Sequence, residues 1–200
     1  FKRAGGRFIS INPVRTGYSA IADEWIPIKP GTDGALFMAL MHELIRLEKY
    51  DAPFLKRFSN SAQLVCMESG AEEGLFLYDP DSDPINLDLP HNKYIWDEKT
   101  QSAQPCFKQG TSPVLLGEYT MGPGPHQGKK VVPAFELLKR QVSETTPEWA
   151  SGITSIPAER IRKLALEIAD TGIALNLGKV VVAGSAESLL NDPAVRAAYL

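Results

Sequence analysis

Two short apolar runs near the N-terminus, each broken by proline, constrain the fold of this chain most strongly. Phe8–Ile11 is rich in β-branched residues and ends at Asn12-Pro13, as a short buried strand that leads into a loop does. Trp25–Ile28 contains Pro27, which cannot donate to a strand ladder and therefore favours an edge or strand-end position. Two strand–loop units are predicted.

A helix is predicted directly after the second loop, Lys29-Pro30-Gly31. Thr32 or Asp33 can accept hydrogen bonds from the free amides at its start. Leucines follow at helical spacing, at Leu36, Leu40, Leu44 and Leu47. The pattern predicts that this helix ends near Lys49-Tyr50.

In an open α/β sheet, ligands bind beyond the carboxyl ends of the strands, and a helix N-terminus favours anionic groups there. A phosphate-bearing ligand therefore suits the two loops, although neither a GxGxxG nor a GxxxxGK[ST] motif is present. Two structural alternatives stay open from the residues alone. Asp33 is first a candidate to cap the helix, and an arginine such as Arg15 is more often a solvated loop charge than a phosphate ligand.

Three sequence blocks occur in order over this region: INPVRT, AIADEWIPI and KPGTDGAL. They resemble the molybdopterin oxidoreductases of the dimethyl sulfoxide reductase type. The resemblance resumes at TPEWASGIT and IPAERI, where Ser155 stands in place of the family's usual glycine. It implies a fragment of a molybdenum-dependent oxidoreductase over residues 1–165.

The resemblance also implies the cofactor and the residues that bind it. Residues matching the family's positions for molybdopterin guanine dinucleotide are Asn12, Pro13, Val14, Arg15 and Thr16 in the first loop, and Gly31, Thr32 and Asp33 in the second. Backbone amides near Gly31 would approach the pyrophosphate, Arg15 would pair with phosphate, and Asp33 would accept from guanine N–H groups. No catalytic residue and no metal ligand is expected in this chain. The molybdenum ligand and any iron–sulfur cluster are expected in a missing upstream part.

The last part of the chain has a second resemblance. From Leu166, the sequence LEIADTGIALNLGKVVVAGSAESLLNDPAVRAAYL is similar to the C-terminus of the ATP-binding subunit of branched-chain amino acid ABC transporters. It implies a helix, a hairpin of residues 173–177 and 179–183, a short helix capped by Ser185, and a last helix beginning at Asp192-Pro193. The hypothesis is a chimera joined near residues 164–170; convergence within the oxidoreductase family is the alternative.

The full prediction is an α/β fold with a partial Rossmann-like, partly parallel sheet, flanking helices and a loop-rich insertion over about residues 67–130. Gln63–Cys66, just before the insertion, and Leu75–Tyr78, within it, are strand candidates. Helices are predicted over Val132–Val142, with Pro133 in the first turn, and over Ile156–Asp170. Residues 166–200 form the helix–hairpin–helix tail.

Composition limits the remaining function classes. A net charge of −3 over 200 residues gives no electrostatic footprint for nucleic acid, and no apolar stretch is long enough to span a membrane. Cys66 and Cys106 lack the spacing of a metal site.

The expected partners are the remainder of the oxidoreductase and electron-transfer subunits, in the cytoplasm or periplasm of a prokaryote. The chain alone is expected to be inactive. A fragment of an ATP-binding transporter component and a non-catalytic interaction domain are the alternatives.

Overall fold

The chain forms a mixture of helices and short strands in two units, residues 1–50 with 142–200 and residues 51–141. The structure, a computed structural model, describes residues 6–15, 17–80, 92–106, 108–170, 172–176 and 179–184. The predicted mixed α/β class is confirmed, whereas the Rossmann-like arrangement stays a prediction. The predicted boundary at residues 165–166 falls within one continuous helix, and that division also stays a prediction.

The first unit begins with a two-stranded parallel sheet. Strand β1 is Ile9–Ile11 and strand β2 is Glu24–Ile26, with Ser10 opposite Trp25 and Ile11 opposite Ile26. A short 3₁₀ helix, Gly17–Ala20, lies on the connection between them. The predicted strands are confirmed, and the second ends just before Pro27, where the ladder would lose a donor.

Three helices cover one face of this sheet. Helix α1 is Asp33–Arg46, α4 is Pro147–Thr154 and α5 is Ala158–Asp170. Their buried side chains form one core with those of β2 and its following residues: Ile26, Ile28, Leu36, Ala39, Leu40, Ala150, Ile156, Ile161, Leu164 and Ala165. Ile9, Ile11 and Leu44 pack against it. Burial of each large aliphatic side chain contributes about 1.5–3 kcal/mol, so this face holds the unit together.

Ser155, at the connection between α4 and α5, adopts a conformation that suits the glycine of the family pattern. Ser155 ends α4 with φ of 66°, in the left-handed region that favours glycine. The next helix begins after Pro157, whose fixed φ suits the residue before a first turn.

The second unit is built from short antiparallel pairs. A three-stranded sheet has the order β3, β7, β6, and a separate hairpin pairs β4 with β5. The strands are β3 Leu64–Cys66, β4 Tyr94–Asp97, β5 Ser102–Pro105, β6 Tyr119–Thr120 and β7 Lys130–Pro133; the helices are α2 Ala52–Phe58 and α3 Ala134–Gln141. Trp96 stacks on Tyr119 with ring centroids 4.3 Å apart, beside a core that includes Leu64, Leu77 and Val131.

Two sequence predictions in this unit differ from the structure. The helix predicted over Val132–Val142 is confirmed as α3, but it begins only at Ala134, because Val131 and Val132 are buried in β7 and Pro133 is the last residue of that strand. The run Leu75–Tyr78 is not a continuous strand; Phe76 and Tyr78 form isolated bridges to Val65 and Lys93.

After α5, an antiparallel pair of strands confirms the hairpin predicted over residues 173–177 and 179–183. Strand β8 is Gly172–Asn176 and β9 is Lys179–Gly184, with an irregularity between Ala174 and Leu175. The predicted cap at Ser185 and the helix at Asp192-Pro193 lie outside the described residues. Among the described helices, none is both long and apolar enough to cross a bilayer.

Asp97 organises the β4–β5 hairpin and gives a stability prediction. Its carboxylate accepts from the amide of Ser112 at 2.6 Å and from the amide and hydroxyl of Thr100. These hydrogen bonds lower the pKa of Asp97 below its ordinary value, and the bond from the amide of Ser112 has the largest effect. Stability from such a group is present above the pKa of the unfolded chain and is lost as the pH falls through the lower folded value.

We therefore expect Asp97→Asn to lower the urea midpoint of unfolding at pH 7, with a difference from the parent that narrows toward pH 3. Urea titrations at pH 7, 5 and 3 measure this. Glu159→Gln is the control, because the Glu159 side chain is 89% exposed. An Asp97→Asn protein as stable as the parent at pH 7 would contradict the role of the carboxylate.

Candidate functional site

The parallel pairing of β1 with β2 places the two predicted loops at the same edge of the sheet. Both strands run in one direction, so the residues after Ile11 and after Ile26 leave from the same end. The amide of Asn12 donates to the carbonyl of Ile26 at 3.2 Å, which continues the ladder by one bond. The first loop, Asn12–Thr16, and the second, Pro27–Thr32, therefore begin side by side.

The first loop begins with a hydrogen-bonded turn around Asn12. The Oδ1 of Asn12 accepts from the amide of Val14 at 3.2 Å, and its carbonyl accepts from the indole Nε1 of Trp25 at 2.9 Å. An asparagine side chain that bonds the backbone two residues on favours this kind of turn. Asn12, Pro13, Val14 and Arg15 are all exposed, while Thr16 lies outside the described residues.

The second loop is held by the end of α4. The amide of Lys29 donates to the carbonyl of Thr154 at 3.1 Å. Thr154 is completely buried, and its hydroxyl donates to the carbonyl of Ala150 and accepts from the amide of Ile156. Both bonds fix the corner between α4 and α5, so the loop rests on a rigid support.

The start of α1 differs from the predicted cap. Thr32 occupies the N-cap position, but its hydroxyl donates to the carbonyl of Lys29 at 2.7 Å and no side chain caps the helix. Asp33 is the first helical residue, not the cap. The backbone amides of Asp33 and Gly34 therefore have no acceptor among the described residues.

Both hydrogen-bond donors and an acceptor are exposed at this edge. Exposed amides and the Arg15 guanidinium are donors, the Asp33 carboxylate is an acceptor, and Gly31 leaves open space beside the backbone. Donors of this kind suit an anionic group, and a carboxylate suits a ligand with N–H donors. Across the described residues, no group of three or more His, Cys, Asp or Glu side chains is arranged to hold a metal ion.

An ion-pair cluster fixes the opposite end of the same strands. Arg160 on α5 donates two hydrogen bonds to Glu24 of β2, at 2.6 and 2.8 Å, and one to Glu167 at 3.1 Å. Arg7, just before β1, bonds both carboxylates at 2.6 Å. The bond from Arg160 is the main cause that lowers the pKa of Glu24. The cluster ties the strands to α5 without using the loops.

Sequence reasoning missed Trp25 and Thr154, the two residues that hold the loops. For Trp25 the sequence carried a weak signal, since a large tryptophan stands in a short run that Pro27 marks as an edge or strand-end position. It carried none for the second, because the bond from Lys29 uses the carbonyl of a residue that is far away in the sequence.

Curated relatives cover most of this chain. A sulfite dehydrogenase chain of Allochromatium vinosum is 45% identical over 170 residues, which are 84% of this chain and 17% of that protein. The alpha chain of the perchlorate reductase of Dechloromonas aromatica is 29% identical over 195 residues, 82% of this chain and 20% of that protein. The dimethyl sulfoxide reductase DmsA of Escherichia coli is 31% identical, covering 85% of this chain and 14% of that protein.

These relatives are molybdopterin oxidoreductases. The first resemblance found in the sequence is thereby confirmed as homology to molybdenum-dependent oxidoreductases over most of the chain. The chain spans between 14% and 20% of the length of these three relatives. The similarity of the tail to an ABC transporter component has no support among them.

Two further comparisons add little. No protein-family model matches the chain. Among solved structures, acetylene hydratase from Pelobacter acetylenicus is 19% identical with a TM-score of 0.42, over 82% of this chain and 13% of that one.

The backbone at Gly31 gives the prediction for this site. Its φ is 76°, and a Cβ built there meets no atom within 4 Å, so an added methyl group would be strained but would not clash. We expect Gly31→Ala to lower the free energy of unfolding by about 1–2 kcal/mol, the cost of the left-handed region for an L-residue.

Gly34→Ala is the matched control for urea unfolding. It also meets no atom within 4 Å but lies in α1 with an ordinary φ. Since alanine is compatible there, we expect a gain of about 0.4–1 kcal/mol. Equal effects of the two substitutions would show that the strain at Gly31 is not what the φ value indicates.

Proposed function

We propose that this chain is part of a molybdenum-dependent oxidoreductase, in which its two loops contribute to the binding of molybdopterin guanine dinucleotide. The first loop is Asn12, Pro13, Val14, Arg15 and Thr16. The second contributes Gly31 and Thr32, together with Asp33 directly after it at the start of α1. The observation that carries the proposal is the position of both loops at the carboxyl ends of paired parallel strands, in a chain homologous to molybdopterin oxidoreductases.

The donor set of the second loop fits the pyrophosphate of such a cofactor. The amides of Asp33 and Gly34 stand at the start of a 14-residue helix, where the dipole favours negative charge. Gly31 leaves its side of the backbone open, so an anion can come close to the main chain. The amides can donate hydrogen bonds to the pyrophosphate, and the open backbone at Gly31 lets it approach.

Two charged side chains fit the other parts of the molecule. Arg15 is exposed in the first loop and can pair with a phosphate oxygen. Asp33 is exposed at the first position of α1, and its carboxylate can accept from the N–H groups on the edge of guanine. A guanine nucleotide has phosphate oxygens that can pair with Arg15 and N–H groups that can donate to Asp33.

The role of these residues is binding and orientation. When bound, the cofactor supplies two-electron oxidation or reduction at molybdenum. The loops would fix where the dinucleotide end lies, and thereby where the metal end points. The metal ligand, any iron–sulfur cluster and the substrate pocket would come from the rest of the parent enzyme.

The same reasoning gives the partners. The remainder of the oxidoreductase is the first, and electron-transfer subunits are the second, since the sulfite dehydrogenase and perchlorate reductase relatives are each named as one subunit of their enzyme.

Asp33→Ala in the intact parent enzyme tests the proposal. Removing a charged hydrogen-bond acceptor costs about 1.5–3 kcal/mol, which corresponds to roughly tenfold to hundredfold weaker binding. We expect less molybdenum and less guanine nucleotide per polypeptide after purification. Metal analysis and release of guanine nucleotide by acid hydrolysis measure both.

Glu159→Ala is the matched control, because Glu159 is also an exposed acid in the first turn of a helix. It should retain the cofactor as the parent does. Full molybdenum loading of the Asp33→Ala enzyme would rule out the proposed contact, and absence of guanine nucleotide from the parent itself would rule out the proposed cofactor.

A further inference from the structure

The two faces of the β1–β2 sheet have different tasks. Side chains alternate along a strand, so Ile9, Ile11 and Ile26 share the face that packs on the helices. Ser10 and Trp25 are partners in the register and share the other face. Trp25 therefore lies on the face opposite the core in which Ile26 is buried, and its indole is not part of that core.

The indole of Trp25 bonds the first residue of the first loop. Its Nε1 donates to the carbonyl of Asn12 at 2.9 Å. Asn12 is then bonded at three groups, since its amide donates to Ile26 and its Oδ1 accepts from Val14. The indole N–H thereby fixes the plane of the peptide between Asn12 and Pro13.

A second contact on the same face of the sheet holds the far end of the first loop, where the 3₁₀ helix begins. The hydroxyls of Ser10 and Ser19 are 2.8 Å apart and buried, which ties the 3₁₀ helix to β1. The exposed residues Pro13, Val14 and Arg15 lie between these two points of attachment. A loop held at both ends loses little conformational entropy when it binds a ligand.

We propose that Trp25 is a positioning residue for the cofactor loop, whose indole N–H holds Asn12 and thereby sets the direction of Pro13, Val14 and Arg15. The inference rests on the proposed function, since it takes the first loop as part of the dinucleotide site. Trp25 acts through Asn12 and needs no contact with the cofactor.

Trp25→Phe in the intact enzyme removes the N–H donor and keeps an aromatic ring. A hydrogen bond is worth about 0.5–1.5 kcal/mol net, so we expect the cofactor to be lost about two- to tenfold faster during incubation and gel filtration. The released guanine nucleotide and molybdenum give the rate. The matched control is Trp149→Phe, because Trp149 is 41% exposed on α4 and remote from the loop in the sequence.

A second readout separates positioning of the loop from general loosening of the fold. Limited trypsin digestion followed by mass spectrometry compares cleavage after Arg15, in the loop, with cleavage after Arg46, at the end of α1. Trp25→Phe should speed cleavage after Arg15 and leave cleavage after Arg46 as in the wild type. Faster cleavage at both positions would overturn the positioning role, as would unchanged cofactor loss.

Failure of the proposed function gives a different result. A wild-type enzyme without molybdenum and guanine nucleotide would contradict that function directly, whereas a loaded wild type with an equally stable Trp25→Phe variant contradicts only the role of Trp25. If Trp25→Phe does not fold, site-specific replacement of Trp25 by its benzothiophene analogue keeps the ring shape and removes only the N–H. The same two outcomes, faster or unchanged cofactor loss, then support or overturn the inference.

Discussion

The parallel pairing of β1 with β2 is the interaction on which the rest of the first unit depends. A parallel register brings the ends of two strands together even though the connection between them is long, and it sends both following loops to one edge. It also sorts the side chains by face, with isoleucines toward α1, α4 and α5 and Ser10 and Trp25 on the other side. An antiparallel pair would have placed the two loops at opposite ends of the strands.

Polar contacts around this small sheet divide into two groups with different costs. At one end, Arg160, Glu24, Arg7 and Glu167 form a charged cluster that is partly desolvated, so the bonds between its members must offset a loss of hydration. At the loop end, the contacts are neutral: indole to carbonyl, hydroxyl to hydroxyl and amide to carbonyl. These neutral contacts hold the loops without using the side chains of Arg15 and Asp33, which stay exposed.

Sequence patterns predicted those features of the fold that depend on local order. The apolar runs Phe8–Ile11 and Trp25–Ile28 and the leucine spacing of α1 are patterns of a few residues, and the structure has β1, β2 and α1 at these places. The second strand ends two residues earlier than predicted, at Ile26 before Pro27. Only the start of the helix predicted from Val132 was wrong. A short apolar run has no period that separates a strand from a helix, and Val131 and Val132 form β7 because they pair with β3 and β6. Thr32 was also misjudged, since its hydroxyl bonds Lys29 and not the helix amides. The bonds from Trp25 and Thr154 depend on tertiary placement, which no local pattern contains.

The return of the chain after residue 141 completes the support of the second loop. The carbonyl of Val142 bonds the ring of His42 at 2.8 Å and Thr145 bonds the carbonyl of Met38 at 3.2 Å, so the incoming segment is fixed along α1 before α4 begins. At the end of α4, the carbonyl of Thr154 accepts a hydrogen bond from the amide of Lys29. The entropic cost of closing a loop grows slowly, by about 0.6 kcal/mol for each doubling of its length. Residues 51–141 can therefore form a unit with a core of its own between the two sequence segments of the first unit, while the position of Gly31, Thr32 and Asp33 still depends on α4 rather than on their neighbours in sequence.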